Sequence, residues 1–182
     1  MYRGMIFCDH SNFEIAFQKY YKELGVNTPH LDYNLLFRNI INLVPNVDFV
    51  KSMMFISKPD EEAMLDNGIK SHYEWEKKFE SYSRIDVVEG DLKTVTDKRE
   101  QKGVDISLAI HALSKAYVNA YDIAFIMSAD SDFINLYDML KDLGKTVYVV
   151  VVKGQGISRV IPHVDEYINL DDGFFRTCLR DS

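Results

Sequence analysis

Residues 146–152 read Thr-Val-Tyr-Val-Val-Val-Val, a β-branched run with no polar alternation. A strand with one face in water alternates apolar and polar side chains, so this run belongs to a strand covered on both faces. Residues 4–8 and 123–128 are similar short apolar runs, and apolar residues at helical spacing follow each of them. Two-sided strands alternating with amphipathic helices predict a parallel sheet between helix layers. The expected fold class is therefore α/β, a three-layer α/β/α sandwich with a mainly parallel central sheet. In such sheets ligands gather beyond the carboxyl ends of the strands.

The remaining elements follow from the same periodicities. Strand 4–8 ends at Asp9, and a helix over 12–24 carries Phe13, Ala16, Phe17, Tyr20 and Leu24 on one face before Gly25 stops it. These aromatics, with Tyr21, read as core rather than as a stacking platform. A helix over 31–43 and a strand over 47–56 come next. Ser57 is then expected to cap a helix whose early Pro59, Asp60, Glu61 and Glu62 suit a positive N-terminus, running to about residue 82 with an interruption at Asn67-Gly68. Residues 84–88 read as a strand and 89–102 as a polar loop. The second half is clearest: a helix from Asp105 with Ile106, Ala109, Ile110, Leu113, Ala116 and Tyr117, then strand 123–128. A helix through Phe133, Leu136, Leu140 and Leu143 closes at Gly144, and strand 146–152, a short helix at 158–163 and strand 167–170 complete the pattern.

No repeat, low-complexity tract or Gly/Ser/Pro-rich linker interrupts this order, and 182 residues suit one core, so residues 1–182 are expected to form a single domain. The N-terminal apolar run meets Asp9 too early for a signal peptide, and nothing approaches the roughly 18 consecutive apolar residues of a membrane span. Cys8 and Cys178 stand near opposite ends without CxxC spacing, which leaves a disulfide open but argues for a reducing compartment and against zinc. His10, His30, His72, His111 and His163 show no ligand spacing such as HExxH. A cytoplasmic location is the simple reading. The net charge of −7 argues against coating nucleic acid through overall charge, though not against an enzyme with an acidic metal site and a local basic rim.

Acids recur where the strands end. Asp9 follows the first strand, Asp130 and Asp132 follow strand 123–128, and Asp105 opens the helix just before that strand. Singly, each has an ordinary role: Asp105 as a helix cap, Asp132 on a helix dipole, Asp9 closing a turn. Together, converging carboxylates repel and are driven to protonate unless a cation joins them. A hard, oxygen-preferring ion, Mg²⁺ or Mn²⁺, removes that penalty. Asn12 can add a neutral oxygen or orient a water. Ser128 and Ser131 read as turn and cap residues, with Ser128 also a candidate substrate contact. His10 beside Asp9 reads either as a substrate contact or as an ordinary exposed loop histidine. The charged stretch 93–102, with Arg99 and Lys102, leads directly to Asp105 and can form a basic rim for phosphates, extended by Lys153 and Arg159 after another strand end.

Four segments, Asp9-His10-Ser11-Asn12, Lys102-Gly103-Val104-Asp105, Ser128-Ala129-Asp130-Ser131-Asp132-Phe133 and Leu143-Gly144-Lys145, occur in this order. Together they resemble the NYN domain family, which includes LabA-like proteins and is related to PIN-domain nucleases. Tyr121-Asp122 fits as well, and the resemblance runs from Met5 to about Asp172. It implies a PIN-like fold and a Mg²⁺- or Mn²⁺-dependent ribonuclease. On those acids the expected chemistry is an endonuclease's hydrolysis of phosphodiester bonds through an aspartate-held metal and an activated water, in single-stranded RNA because an open acidic cleft with a loop rim suits a flexible strand. Asp9, Asp105 and Asp130 would be the metal acids, Asp132 a further catalytic acid and Asn12 a helper. Family members often carry glycine where His10 and Ala129 stand here, and His10 adds bulk beside the first acid.

Rival readings fare less well. A phosphohydrolase with an aspartyl nucleophile wants an acid at position 11, which is serine. No GxGxxG follows the first strand, and the serines have no partnered histidine in sequence. The alternative of another class is an RNA-binding or protein-interaction module of the same fold, against which the retention of all four acids argues. RNA is the expected partner, no membrane is, and a second copy or another protein is the expected source of specificity.

Overall fold

A computed structural model of the chain describes residues 1–95 and 98–180, and for residues 91–95 and 98–102 it describes the backbone alone. Its centre is a seven-stranded sheet in the order β4-β3-β2-β1-β5-β6-β7. The strands are β1 Tyr2–Asp9, β2 Val47–Pro59, β3 Ile85–Val95, β4 Lys98–Lys102, β5 Ile123–Met127, β6 Thr146–Val152 and β7 Glu166–Leu170. Six of them run parallel, and only the edge strand β4 pairs antiparallel, with the end of β3.

Helices cover both faces, as the two-sided strands require. On one face α1 (His10–Leu24), α2 (Tyr33–Asn42), α3 (Asn67–Lys77) and the single turn α6 (Asp172–Phe175) pack around Phe13, Phe17, Leu36, Phe37, Ile40 and Phe175. On the other, α4 (Val104–Tyr117) and α5 (Ile134–Asp142) bury Leu108, Ala112, Leu136, Tyr137 and Leu140. Strand residues alternate between the layers: Ile6 and Cys8 face the first core, Met5 and Phe7 the second. Each fully buried side chain of this size contributes about 1.5–3 kcal/mol, so a slip of one residue in β1 would be prohibitive. Gly25 ends α1 at φ 70°, where its N–H bonds the Lys22 carbonyl at 3.1 Å, a conformation that favours glycine.

Three expectations change. Ser57 caps no helix, because β2 continues through Pro59, held by pairing to β3 out to Leu92. The helix expected from there begins only at Asn67, capped by Asp66, whose Oδ1 accepts from the N–H groups of Gly68 and Ile69. The polar stretch 89–102, expected as a loop, supplies the end of β3 and all of β4. Charged residues are tolerated there because an edge strand has one side open to water. Cys8 and Cys178 are both buried and free, without a disulfide. Among the described residues no helix is long and apolar enough to cross a membrane.

Candidate functional site

The strand order reverses direction between β1 and β5, which pair side by side in the middle of the sheet. At that point loops leaving neighbouring strands diverge to opposite faces and open a crevice at the carboxyl edge. Asp9 is the last residue of β1 and Asp130 lies three residues beyond β5, so both flank the crevice.

Backbone donors fix the two carboxylates. Asp9 Oδ1 accepts from the Asn12 N–H at 3.1 Å, and Asp9 is only 6% exposed. Asp130 Oδ1 accepts from the Asp132 N–H at 2.9 Å and caps the 3₁₀ turn Ser131–Phe133. Asp105 is not a cap, because Gly103 occupies that position at φ 82°. It stands in the first turn of α4, and Asp132 lies exposed beyond Asp130.

The carboxylates share one electrostatic neighbourhood. Burial, then repulsion from Asp105 and Asp130, pushes Asp9 up to about 6 against the opposing Asn12 hydrogen bond. Asp105 is raised by partial burial and then by Asp130 and Asp132. Tyr137 lies beneath them, its phenol raised by burial and then by Asp130 and Asp9, and its hydroxyl has no hydrogen-bond partner among the described residues. Among those residues no lysine or arginine pairs with Asp9, Asp105, Asp130 or Asp132. Asp122, just before β5 on the opposite edge, shows the contrast: side-chain and then backbone hydrogen bonds from Arg3, three in all, draw it down to about 2. The aspartates are thus coupled electrostatically, whereas the acids and histidines that the described residues bring within metal-ligand distance, with one ligand atom from each inside 4.8 Å of the others, are His10, Glu14, His72 and Glu76.

Other predicted site residues divide. The Asn12 amide oxygen accepts from the Ala129 N–H and from Gln155 Nε2, each at 3.2 Å, so it ties the loop after β5 and the turn after β6 to the start of α1. Gln155 was not singled out by the sequence, although Gly154 and Gly156 mark the turn that carries it. Ser128 is corrected: it is 1% exposed and its Oγ accepts from the Asp130 N–H, which places it in the turn and out of reach of a substrate. Lys153 is exposed and shares a surface hollow with Asn12 and Gln155. Arg159 is exposed as well. The side chains of Arg99 and Lys102 lie outside the described residues.

His10 is no exposed loop residue. It opens α1 fully buried, with Nδ1 2.5 Å from Glu76 Oε1 and Nε2 2.8 Å from the Tyr33 hydroxyl. His72 Nε2 lies 3.2 Å from Glu14 Oε2 and 3.5 Å from Glu76 Oε1. Hydrogen bonds donated to Glu14 and then to Glu76 raise His72 to about 10. Burial acts to raise Glu76, but its bonds to His10 and His72 outweigh that and hold it below the usual carboxylate range. The histidines therefore do converge with carboxylates. Their signal is a repeated His-x₃-Glu, His10 with Glu14 and His72 with Glu76, which on a helix places both groups on one face.

The family model of the NYN domain matches residues 3–171. No curated protein matches the chain in sequence. A crystal structure of a protein of unknown function from Vibrio parahaemolyticus superposes with a TM-score of 0.67 at 16% identity, covering 98% of this chain and 96% of that one. The nicotinamidase of Staphylococcus aureus aligns over 96% of this chain and 87% of its own at 9% identity, with a TM-score of 0.35, too distant a likeness to inform this chain.

Proposed function

This chain belongs to the NYN domain family, and from that premise we propose that it is a divalent-metal-dependent ribonuclease that hydrolyses phosphodiester bonds in single-stranded RNA. The family implies a PIN-like nuclease fold. What supports the finer reading is the mutual electrostatic influence of Asp9, Asp105 and Asp130 near the reversal point of the sheet, with no cation paired to them among the described residues.

The donor set fits Mg²⁺ or Mn²⁺: its groups are carboxylates, and the most buried of them is held near 6 by burial and its neighbours. Asp9, Asp105 and Asp130 would hold the ion. When bound, a divalent ion neutralises charge on the scissile phosphate and acidifies a water.

The chain's own residues supply the rest. Asn12 holds Asp9 through its backbone N–H, and through its side chain keeps the loop bearing Asp130 against the start of α1. Asp132, exposed beside Asp130, orients the attacking water. Lys153 offers an ammonium to a phosphate of the bound strand, beside the hollow that Asn12 lines. The net charge of −7 makes binding depend on such local contacts, which an unpaired, flexible strand can reach more readily than a duplex can.

The test is cleavage of labelled single-stranded RNA in Mn²⁺, in Mg²⁺ and in chelator, with Asp9→Asn and Asp130→Asn alongside. Metal-dependent cleavage lost in both variants supports the reading. Well-folded protein that binds RNA without cutting it, across several RNAs and a DNA control, would favour a binding module of the same fold.

A further inference from the structure

We propose that His10, Glu14, His72 and Glu76 form a second metal site, separate from the aspartates, that takes a divalent transition metal of the zinc class and clips α1 to α3. One ligand atom from each residue lies within 4.8 Å of all the others. Bonds of roughly 2.0–2.1 Å to a tetrahedral ion would set donors about 3.3 Å apart. The separations of 2.5, 3.2 and 3.5 Å between these nitrogens and oxygens bracket that spacing.

Two imidazoles with two carboxylates suit zinc and its neighbours, whereas Mg²⁺ prefers an all-oxygen shell. The surroundings have the form of a support for such a site. The Tyr33 hydroxyl lies against His10 Nε2, so it can accept that nitrogen's proton and leave Nδ1 facing the other three groups. The rings of His10 and His72 are nearly parallel, with their planes 13° apart. Beside the cluster lies a cavity of about 250 Å³ lined by Glu14, His72, Glu76 and Ser57. The Ser57 hydroxyl is buried there without a hydrogen-bond partner among the described residues, so the cavity calls for a polar occupant. Each helix contributes one histidine and one glutamate, and with four protein donors the site has the closed form of a structural centre. It would anchor the first turns of α1, which follow Asp9 directly.

Chelator-stripped full-length protein titrated with Zn²⁺ by calorimetry tests this, in wild type, in Asp130→Asn, and in His72→Gln combined with Glu14→Gln. His72 and Glu14 are partly exposed, so their replacement leaves the core packing in place, and circular dichroism checks it. The expected result is one strongly bound equivalent in wild type and in Asp130→Asn, not displaced by millimolar Mg²⁺. In the double variant the affinity falls at least roughly 100-fold. X-ray absorption at the zinc edge should find two imidazoles in wild type and one in His72→Gln. Zinc binding that survives the double variant, zinc binding that Asp130→Asn abolishes, or no bound zinc would each overturn the proposal.

Discussion

Replacing Asp9 by asparagine should stabilise the metal-free protein while disabling it. Burial and the neighbouring acids lift the Asp9 carboxyl from 3.8 to about 6. About two pKa units correspond to about 3 kcal/mol of destabilisation whenever Asp9 is ionised. The sign follows from proton uptake. Between about 4 and 6 the folded state binds more protons than the unfolded state, so stability falls as pH rises through that window. Above it the full cost applies, and below it none does. Asparagine removes the charge but keeps an oxygen for the Asn12 N–H, and as a helix cap it equals aspartate. In chelator at pH 8, Asp9→Asn should therefore gain about 3 kcal/mol in urea melts, or about 6–12 °C in Tm for a domain of this size. The gain should vanish near pH 4. Saturating Mg²⁺ should stabilise wild type but not the variant, closing the gap from the other side. A variant no more stable than wild type at pH 8, or a gain that persists at pH 4, would refute the electrostatic account of the site.

Other consequences concern neighbouring residues. A Cβ at Gly90 would sit 2.6 Å from Val104 Cγ2 and 2.9 Å from Val104 N, so Gly90→Ala must displace the start of α4. It should lose about 1–3 kcal/mol in denaturant melts, and RNA cleavage should slow because Asp105 moves with that turn. Tyr137→Phe removes a buried hydroxyl without a partner among the described residues, so metal-free melts should show stability unchanged or about 1 kcal/mol higher. A clear loss would mean that the hydroxyl is engaged. His72, raised to about 10, stabilises the metal-free fold fully below about 6.5 and loses that contribution as pH rises through 10. Since the ring is 44% exposed, the effect should be only about 1 kcal/mol, and His72→Gln should flatten the stability profile from pH 6 to 10.5.

The acidic edge was legible because the short apolar runs of β1 and β5 end shortly before Asp9 and Asp130, and strand ends in a parallel sheet can be located without coordinates. The roles within it needed geometry. Whether Asp105 caps its helix turned on Gly103 adopting a left-handed conformation two residues earlier. Ser128 lies next to the acids in sequence, yet pleating turns it into the protein. β4 escaped detection because an edge strand open to water needs no apolar pattern, and β2 runs past Ser57 only because β3 pairs with it. The histidine cluster was missed for another reason. Motif spacing looks along one segment, whereas His10 and Glu76 meet from positions 66 apart. Only the matching His-x₃-Glu pattern on two helices hinted at it. His10 is also where the chain departs from the glycine often found in the family, and its buried contacts with Glu76 and Tyr33 give that departure a structural role.

Titration with Mn²⁺ followed by electron paramagnetic resonance, counting only ions that Mg²⁺ displaces, tests the metal-holding role of the aspartates most directly. The account predicts Mg²⁺-displaceable Mn²⁺ in wild type at pH 7.5, weakened by at least roughly tenfold in each of Asp9→Asn, Asp105→Asn and Asp130→Asn. Undiminished binding in all three variants would contradict it.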